Sequence, residues 1–469
     1  MKSLVYVIFL SVIAALGGFL FGYDTAVISG TTEDVKAFYN LSDIQQGWYV
    51  SCAILGCIIG VMMAGRLSDI FGRKPLLMTS AIVFAVSSIG CAIYSSFDQL
   101  VLYRILGGVG IGIVSIIAPL YISEISIPKY RGRMVACYQL AITVGILGSY
   151  LANSAVLKWS QTVQYDSGFM KLVINEQVWR GMLGMTTIPA VLFLLALFLI
   201  PESPRWQVVK QQDGKALRTF GKIYSPDKAQ KEIDEIRDVI SRETKSDWRL
   251  LFKPGFRIAL IVGVCLAMLG QFMGVNAVFY YGPKFLLEAG LEKTASLDFQ
   301  VWVGLVNVLS TILAMMVIDK IGRKKLIYIG VSGMVVLLIG IGLFFFNVAA
   351  GHSVSIWVLF GLILGYVFSS AISISAVIFV LLSEMYPVKV RGSAMSVAGF
   401  SLWVGTYLIG QLTPWLTTRL SASGVFWLFG AMCIPYLLIT YFLVPETTGK
   451  SLEDIEREWA EKGKLKVKI

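Results

Sequence analysis

Twelve apolar segments, each long enough to cross a bilayer, constrain this chain more than any other feature. They fall at about 4–30, 46–65, 75–96, 98–123, 134–156 and 181–201, and again at about 256–286, 298–318, 325–347, 354–384, 393–416 and 423–444. A hydrocarbon core offers no partner to a bare peptide group, so segments of this kind must satisfy their backbone internally, as helices. With 56% hydrophobic and only 15% charged residues, the chain is unlike a soluble domain. The expected fold is an all-α membrane protein of twelve transmembrane helices in two six-helix bundles, 1–201 and 255–445. A charged segment, 202–254, separates the bundles and a tail, 446–469, ends the chain. The opening Met-Lys-Ser imitates a secretory signal, but the apolar run behind it is too long and meets no cleavage pattern, so it reads as the first span.

A net charge of +11 suggests nucleic acid until its distribution is considered. Arg66, Arg73 and Lys74, then Lys129, Arg131 and Arg133, then the central segment, then Lys320, Arg323, Lys324 and Lys325, then Lys389 and Arg391 all fall on one side of the predicted membrane. The opposite loops hold little beyond Lys36 and His352. The bias of basic residues places both termini and the central segment in the cytoplasm. The outside loop 157–180, with Lys158, Lys171 and Arg180, goes against the trend and reads as an external cap. In 202–254 apolar positions recur at helical intervals among dense charge, which predicts short amphipathic cytoplasmic helices. The six cysteines lie in or beside spans and read as packing residues, not disulfides or metal ligands.

An internal repeat supports two halves. Gly65-Arg-Leu-Ser-Asp69-Ile-Phe-Gly-Arg73-Lys74 returns as Asp319-Lys-Ile-Gly322-Arg323-Lys324, Glu124 to Arg131-Gly132 as Glu384 to Arg391-Gly392, and Pro201-Glu202-Ser203 as Pro445-Glu446-Thr447. These motifs set acids and bases on short turns at one end of the helices, where they can pair across neighbouring helices. Basic loops that only fix topology account for any single arginine. The repeated set Arg66, Asp69, Arg73, Glu124, Arg131, Glu202, Asp319, Arg323, Glu384, Arg391 and Glu446 reads instead as a cytoplasmic gate.

The first span carries one carboxylate, Asp24, in Phe21-Gly-Tyr-Asp24-Thr-Ala-Val-Ile-Ser-Gly30. A charge at membrane depth costs about 2.5–3.5 kcal/mol on insertion scales, so it needs a partner, a water-lined cavity or a proton. Arg104, inside the fourth span, is the natural partner. A carboxylate that pairs with Arg104 in one state and takes a proton in another would couple transport to proton movement; the alternative is a purely structural ion pair.

With these motifs in place the sequence resembles the sugar porter family of the major facilitator superfamily over nearly its whole length. Gly65–Lys74, Glu124–Arg131, Pro201-Glu-Ser-Pro-Arg205, Gln271-Phe-Met-Gly-Val-Asn276, Glu384–Arg391 and Pro445-Glu-Thr match the family's motifs in order and place. The first span is similar to that of its bacterial proton-coupled D-xylose symporters. The resemblance implies alternating access and a monosaccharide site between the halves, with Gln139, Gln271, Asn276 and Asn307 at sugar-binding amide positions and Phe21, Tyr280 and Trp403 at aromatic ones. The alternative role for each amide is interhelical hydrogen bonding. The chain departs from the pattern at Gly270, where the family often has a second Gln, at Phe379, where it has Trp, and at Leu402, where relatives carry Gln or Asn. Phe379 keeps an aromatic wall but loses an indole donor, so the sugar's identity stays open among pentoses and hexoses. Glycines and Pro283 in the seventh span predict a helix that breaks or bends, with Tyr280 and Tyr281 as plugs.

The expected activity is import of a monosaccharide in symport with protons through a bacterial inner membrane. The expected partners are sugar, proton and membrane lipid, with no cofactor, no metal and no nucleic acid, and the chain is expected to act as a monomer. A facilitative uniporter of the same fold and a transporter-like sugar sensor are the alternatives. A single histidine, His352, in a loop and no nucleophile, metal or phosphate motif argue against an enzyme.

Overall fold

The computed structural model describes residues 2–94, 96–242, 254–386, 391–446 and 459. Among the described residues every regular element is helical. The first five long helices are α1 (Lys2–Tyr39), α2 (Asp43–Phe71), α3 (Arg73–Ile93), α4 (Phe97–Ile125) and α5 (Arg131–Thr162). A short turn, α6 (Gly168–Met170), precedes α7 (Val178–Gly184) and α8 (Thr187–Leu197), which together make the sixth span. The second set comprises α12 (Pro254–Phe272) with α13 (Val275–Glu288), α14 (Lys293–Ile321), α15 (Arg323–Ala349), α16 (Ile356–Ser370) with α17 (Ala376–Met385), and α18 (Arg391–Phe442). At 1.5 Å per residue α18 would run about 78 Å, more than twice a hydrocarbon core of about 30 Å. It is divided by Ser421, whose φ of 62° and ψ of 168° are not helical, into spans over 391–420 and 422–442. That makes twelve.

The helices outrun the apolar segments. Nothing in Gly65-Arg-Leu-Ser-Asp-Ile-Phe71 stops α2, so Arg66 and Asp69 belong to its last turns and not to a loop as the sequence suggested. The stop is Gly72, at φ +99°, a conformation costly for a residue with a Cβ. Gly322 repeats it between α14 and α15 at φ +94°.

Three spans are interrupted within their length: the sixth at residues 185–186, the seventh at Met273 and Gly274, and the tenth by a π-helical turn over Ala371–Ser375. Gly274 is left-handed, at φ +87°. The backbone freed there is recaptured, as Tyr366 Oη donates to the Met273 carbonyl at 2.6 Å. Tyr281, in α13, donates to the Gly410 carbonyl at 2.6 Å. Such interruptions survive in a membrane only where neighbouring protein satisfies the backbone.

The chain forms two compact units. One comprises 1–39 and 52–244, the other 40–51 and 245–469. The start of α2 thus groups with the second unit, where Ser51 Oγ donates to Gln411 Oε1 at 2.8 Å and Gln411 Nε2 to the Ile44 carbonyl at 2.9 Å. In the first unit α1 and α5 approach so closely that a Cβ on Gly22 would meet the Ile142 carbonyl oxygen at 1.9 Å. Small residues at helix contacts are the usual means of such approach in lipid. Arg180, which sequence reasoning left as part of an external cap, is buried: it stacks on Trp179 and donates to the Ala92 and Tyr94 carbonyls at the C-terminal end of α3. A cation there offsets the helix dipole.

The central segment holds α9 (Pro204–Val209), α10 (Asp213–Phe220) and α11 (Pro226–Arg242). They share a small core of Val208, Ala216, Phe220, Ala229 and Ile233. The expected linker residues 243–253 and most of the tail lie outside the described residues. The six cysteines are free thiols, four of them buried.

Candidate functional site

The intramembrane charges meet. Arg104 Nη1 on α4 donates to Asp24 Oδ1 on α1 at 3.1 Å, with side-chain exposures of 5% and 14%. Beside the pair lies a cavity large enough for about one water molecule, lined by Asp24, Phe84, Ser87, Ser88, Cys91, Arg104, Leu183 and Thr186. Thr186 lies in the interruption of the sixth span and Leu183 near the end of α7 just before it. There Ser88 Oγ donates to the Leu183 carbonyl at 2.8 Å and Thr187 Oγ1 to Ser88 Oγ at 2.9 Å. The carboxylate thus has an arginine partner and a water-sized space beside it.

The predicted sugar-contacting residues divide between the units. In the first, Phe21 lies between Gly18 and Gly22, which face the Tyr138 and Ile142 carbonyls of α5, and Gln139 sits on that same stretch of α5. The Gln139 side chain makes no hydrogen bond within the described residues and is partly exposed. In the second, the interruption at Gly274 joins two predicted residues, as Asn276 Nδ2 donates to Gln271 Oε1 at 2.7 Å. On an unbroken helix residues five apart point about 140° away from each other and do not meet. Thr406 Oγ1, on α18, donates to the same Gln271 oxygen at 3.1 Å. Sequence reasoning did not single out Thr406, although it stands three residues beyond Trp403 on one helical face. Asn307 is buried on α14 with no side-chain hydrogen bond within the described residues, Tyr280 is buried on α13, and Trp403 is partly exposed. Phe379, on α17, is 49% exposed.

At the basic ends of the helices the charged motifs form a network within each unit. Arg73 reaches Glu124 through two bonds, Nε to Oε2 at 3.0 Å and Nη2 to Oε1 at 2.9 Å. Ser203 Oγ donates to Glu124 as well. Glu202 accepts the backbone N–H of Arg73, Lys74 and Ser203 across the α2–α3 turn. Burial pushes the Glu202 carboxyl above its usual range, against the pull of these donors. Lys74 Nζ donates to the Ile200 carbonyl at 2.7 Å. The second unit repeats the plan: Arg323 Nη2 meets Glu384 at 2.9 Å, and Lys324 Nζ meets the Tyr441 and Val444 carbonyls at 3.1 and 3.0 Å.

The acid of the second motif pairs with the arginine of the first, across neighbouring helices. Arg131, at the start of α5 just after the short turn Pro128–Tyr130, is exposed and makes no ion pair within the described residues. Arg391 Nε bonds the Tyr386 carbonyl at 3.3 Å. Arg66 is exposed with no partner among the described residues. Asp69 is 77% exposed, 3.5 Å from Arg73. Glu446 is partly buried, and the Asp319 side chain lies outside the described residues.

The fold is that of the major facilitator superfamily, a class of secondary transporters. Within it the chain belongs to the sugar porters, since the family described as sugar (and other) transporter matches residues 10–459. The arabinose-proton symporter of Bacillus subtilis is 37% identical over 458 residues, 97% of this chain and 96% of that one. The D-xylose-proton symporter of Escherichia coli K12 is 34% identical over 487 aligned residues, 97% of this chain and 96% of that one. An inward open structure of the xylose transporter XylE from E. coli superposes with a TM-score of 0.83 at 33% identity, covering 97% of this chain and 100% of that chain. The protein is therefore an integral membrane sugar transporter and not an enzyme.

Proposed function

We propose that this chain imports a monosaccharide, a pentose or a hexose, together with a proton across a bacterial cytoplasmic membrane by alternating access. The observation that carries the proposal is the Asp24–Arg104 pair beside its water-sized cavity. In one state Arg104 holds Asp24 ionised; when the pair separates, Asp24 takes a proton from water, and the neutral carboxyl crosses with the sugar. One charge moving with the potential gains about 2.3 kcal/mol per 100 mV, enough for about fifty-fold accumulation. The similarity to the arabinose-proton symporter of Bacillus subtilis and the D-xylose-proton symporter of Escherichia coli supports the coupling. The hydroxyls of the sugar are met by Gln139, Gln271, Asn276 and Asn307, and its C–H face by Phe21, Tyr280, Trp403 and Phe379. The motifs around Arg73–Glu124 and Arg323–Glu384 act as cytoplasmic latches, with Arg66, Asp69, Arg131, Glu202, Asp319, Arg391 and Glu446 around them. Both termini lie in the cytoplasm and the protein works as a monomer.

The test is Asp24→Asn in proteoliposomes. Uptake of xylose or arabinose driven by a pH gradient disappears while sugar counterflow continues. Undiminished accumulation by that variant removes the coupling role.

A further inference from the structure

The segment between the two sets of spans carries a charged face that sugar transport does not use. Arg205, Lys210, Lys215, Arg218 and Lys222 are all exposed on α9, α10 and the turn that follows. None of the five is in an ion pair among the described residues. The only acid from Arg205 to Ser225 is Asp213, and it is taken by Arg237 of α11.

Helical spacing puts Lys215 and Arg218 on one side of α10, at positions i and i+3, and Lys222 follows in the turn beyond the helix. Ala216 and Phe220 turn the other way, into the core shared with Ala229 and Ile233 of α11. The bases therefore look away from α11, where Asp227, Glu232, Asp234, Glu235 and Asp238 are carried.

Their surroundings place them at the membrane boundary. Lys222 Nζ lies 5.7 Å from the centre of the Tyr6 ring, in the first turns of α1, where Val5, Ile8 and Phe9 are exposed apolar residues. Trp206 Nε1 donates to the Asp69 carbonyl at 3.1 Å, beside exposed Ile70 and Phe71 at the end of α2. Lys210 Nζ stands 5.8 Å over the Trp206 ring. Tyr and Trp with flanking lysines are the side chains suited to the level of lipid headgroups.

We propose that this face of α9 and α10 binds anionic phospholipid headgroups of the bilayer in which the protein sits. The phosphates supply a counter-charge to bases that form no ion pair among the described residues, and long basic side chains reach them while Trp206 and Tyr6 stay at the boundary.

The test is native mass spectrometry of the full chain in detergent with equal amounts of phosphatidylglycerol and phosphatidylcholine. The unsubstituted protein retains phosphatidylglycerol in preference. The triple variant Lys215→Gln, Arg218→Gln, Lys222→Gln loses at least about tenfold of that preference, since each base near a surface contributes about fivefold. Lys228→Gln with Lys231→Gln, on α11, leaves it unchanged. A preference that survives the triple variant, or falls equally with the α11 pair, overturns the proposal. Abolition of the preference by millimolar inorganic phosphate assigns the face to a free anion and overturns it too. A salt series on the unsubstituted protein does not depend on how the variant folds. The preference must fall between about 0.05 M and about 0.5 M salt, and its persistence counts against headgroup binding.

Discussion

Replacing Gly274 by Ala tests whether the interruption of the seventh span is built into the structure. Two costs combine. The residue sits at φ +87°, where a Cβ costs about 1–2 kcal/mol. That Cβ would also lie 2.2 Å from Cδ2 of Phe429, well inside contact distance. Phe429 has little room to yield: it is buried and packs edge-on to Phe426 at 6.2 Å, and Phe426 is in turn held by Phe285 at 4.9 Å and Phe345 at 5.7 Å. Overpacking of this kind costs about 1–3 kcal/mol, so the loss should total about 2–5 kcal/mol. Unfolding in mixed detergent micelles measures it, and a double-mutant cycle with Phe429→Leu separates the parts. The smaller side chain should recover the overpacking and leave the backbone strain, giving a coupling of about 1–3 kcal/mol. Sugar binding should weaken in parallel, because the interruption is what brings Gln271 and Asn276 together. A change within about 0.5 kcal/mol, or strictly additive single changes, refutes the reasoning.

Arg73→Ala should destabilise the first unit by about 3–5 kcal/mol, because Glu124 is 3% exposed and would be left without its guanidinium; Arg66→Ala, at an exposed residue, should stay within about 0.5 kcal/mol in the same unfolding assay. Glu202 gives a pH signature. Burial raises its carboxyl above the ordinary value of 4.5, so ionising it costs more in the folded than in the unfolded chain. Its contribution is therefore greatest below the unfolded value and is lost as pH rises through the raised one. A pH series of melting temperatures should show this decline in the unsubstituted protein and a flatter profile in Glu202→Gln; identical profiles would exclude it.

Much of this was legible in the chain because a bilayer is a severe solvent. It forces apolar runs into helices, so twelve spans, the six-plus-six repeat and the isolated carboxylate at Asp24 could be read directly. Arg104 could be named as its partner because few ionisable residues lie within spans. What stayed hidden depends on backbone geometry. A strict helical period places Gln271 and Asn276 apart, and only the left-handed turn at Gly274 makes them partners and brings Thr406 to the same oxygen. The repeat suggested that its acids and bases pair across neighbouring helices, but not which with which. Packing set Glu124 against Arg73, because Gly72 turns the chain so that the start of α3 meets the end of α4. Composition and periodicity thus determined which segments are helices and how deep they lie. The partners of the buried polar groups were decided by the few residues at which helices break, and those depend on contacts between segments far apart in the chain.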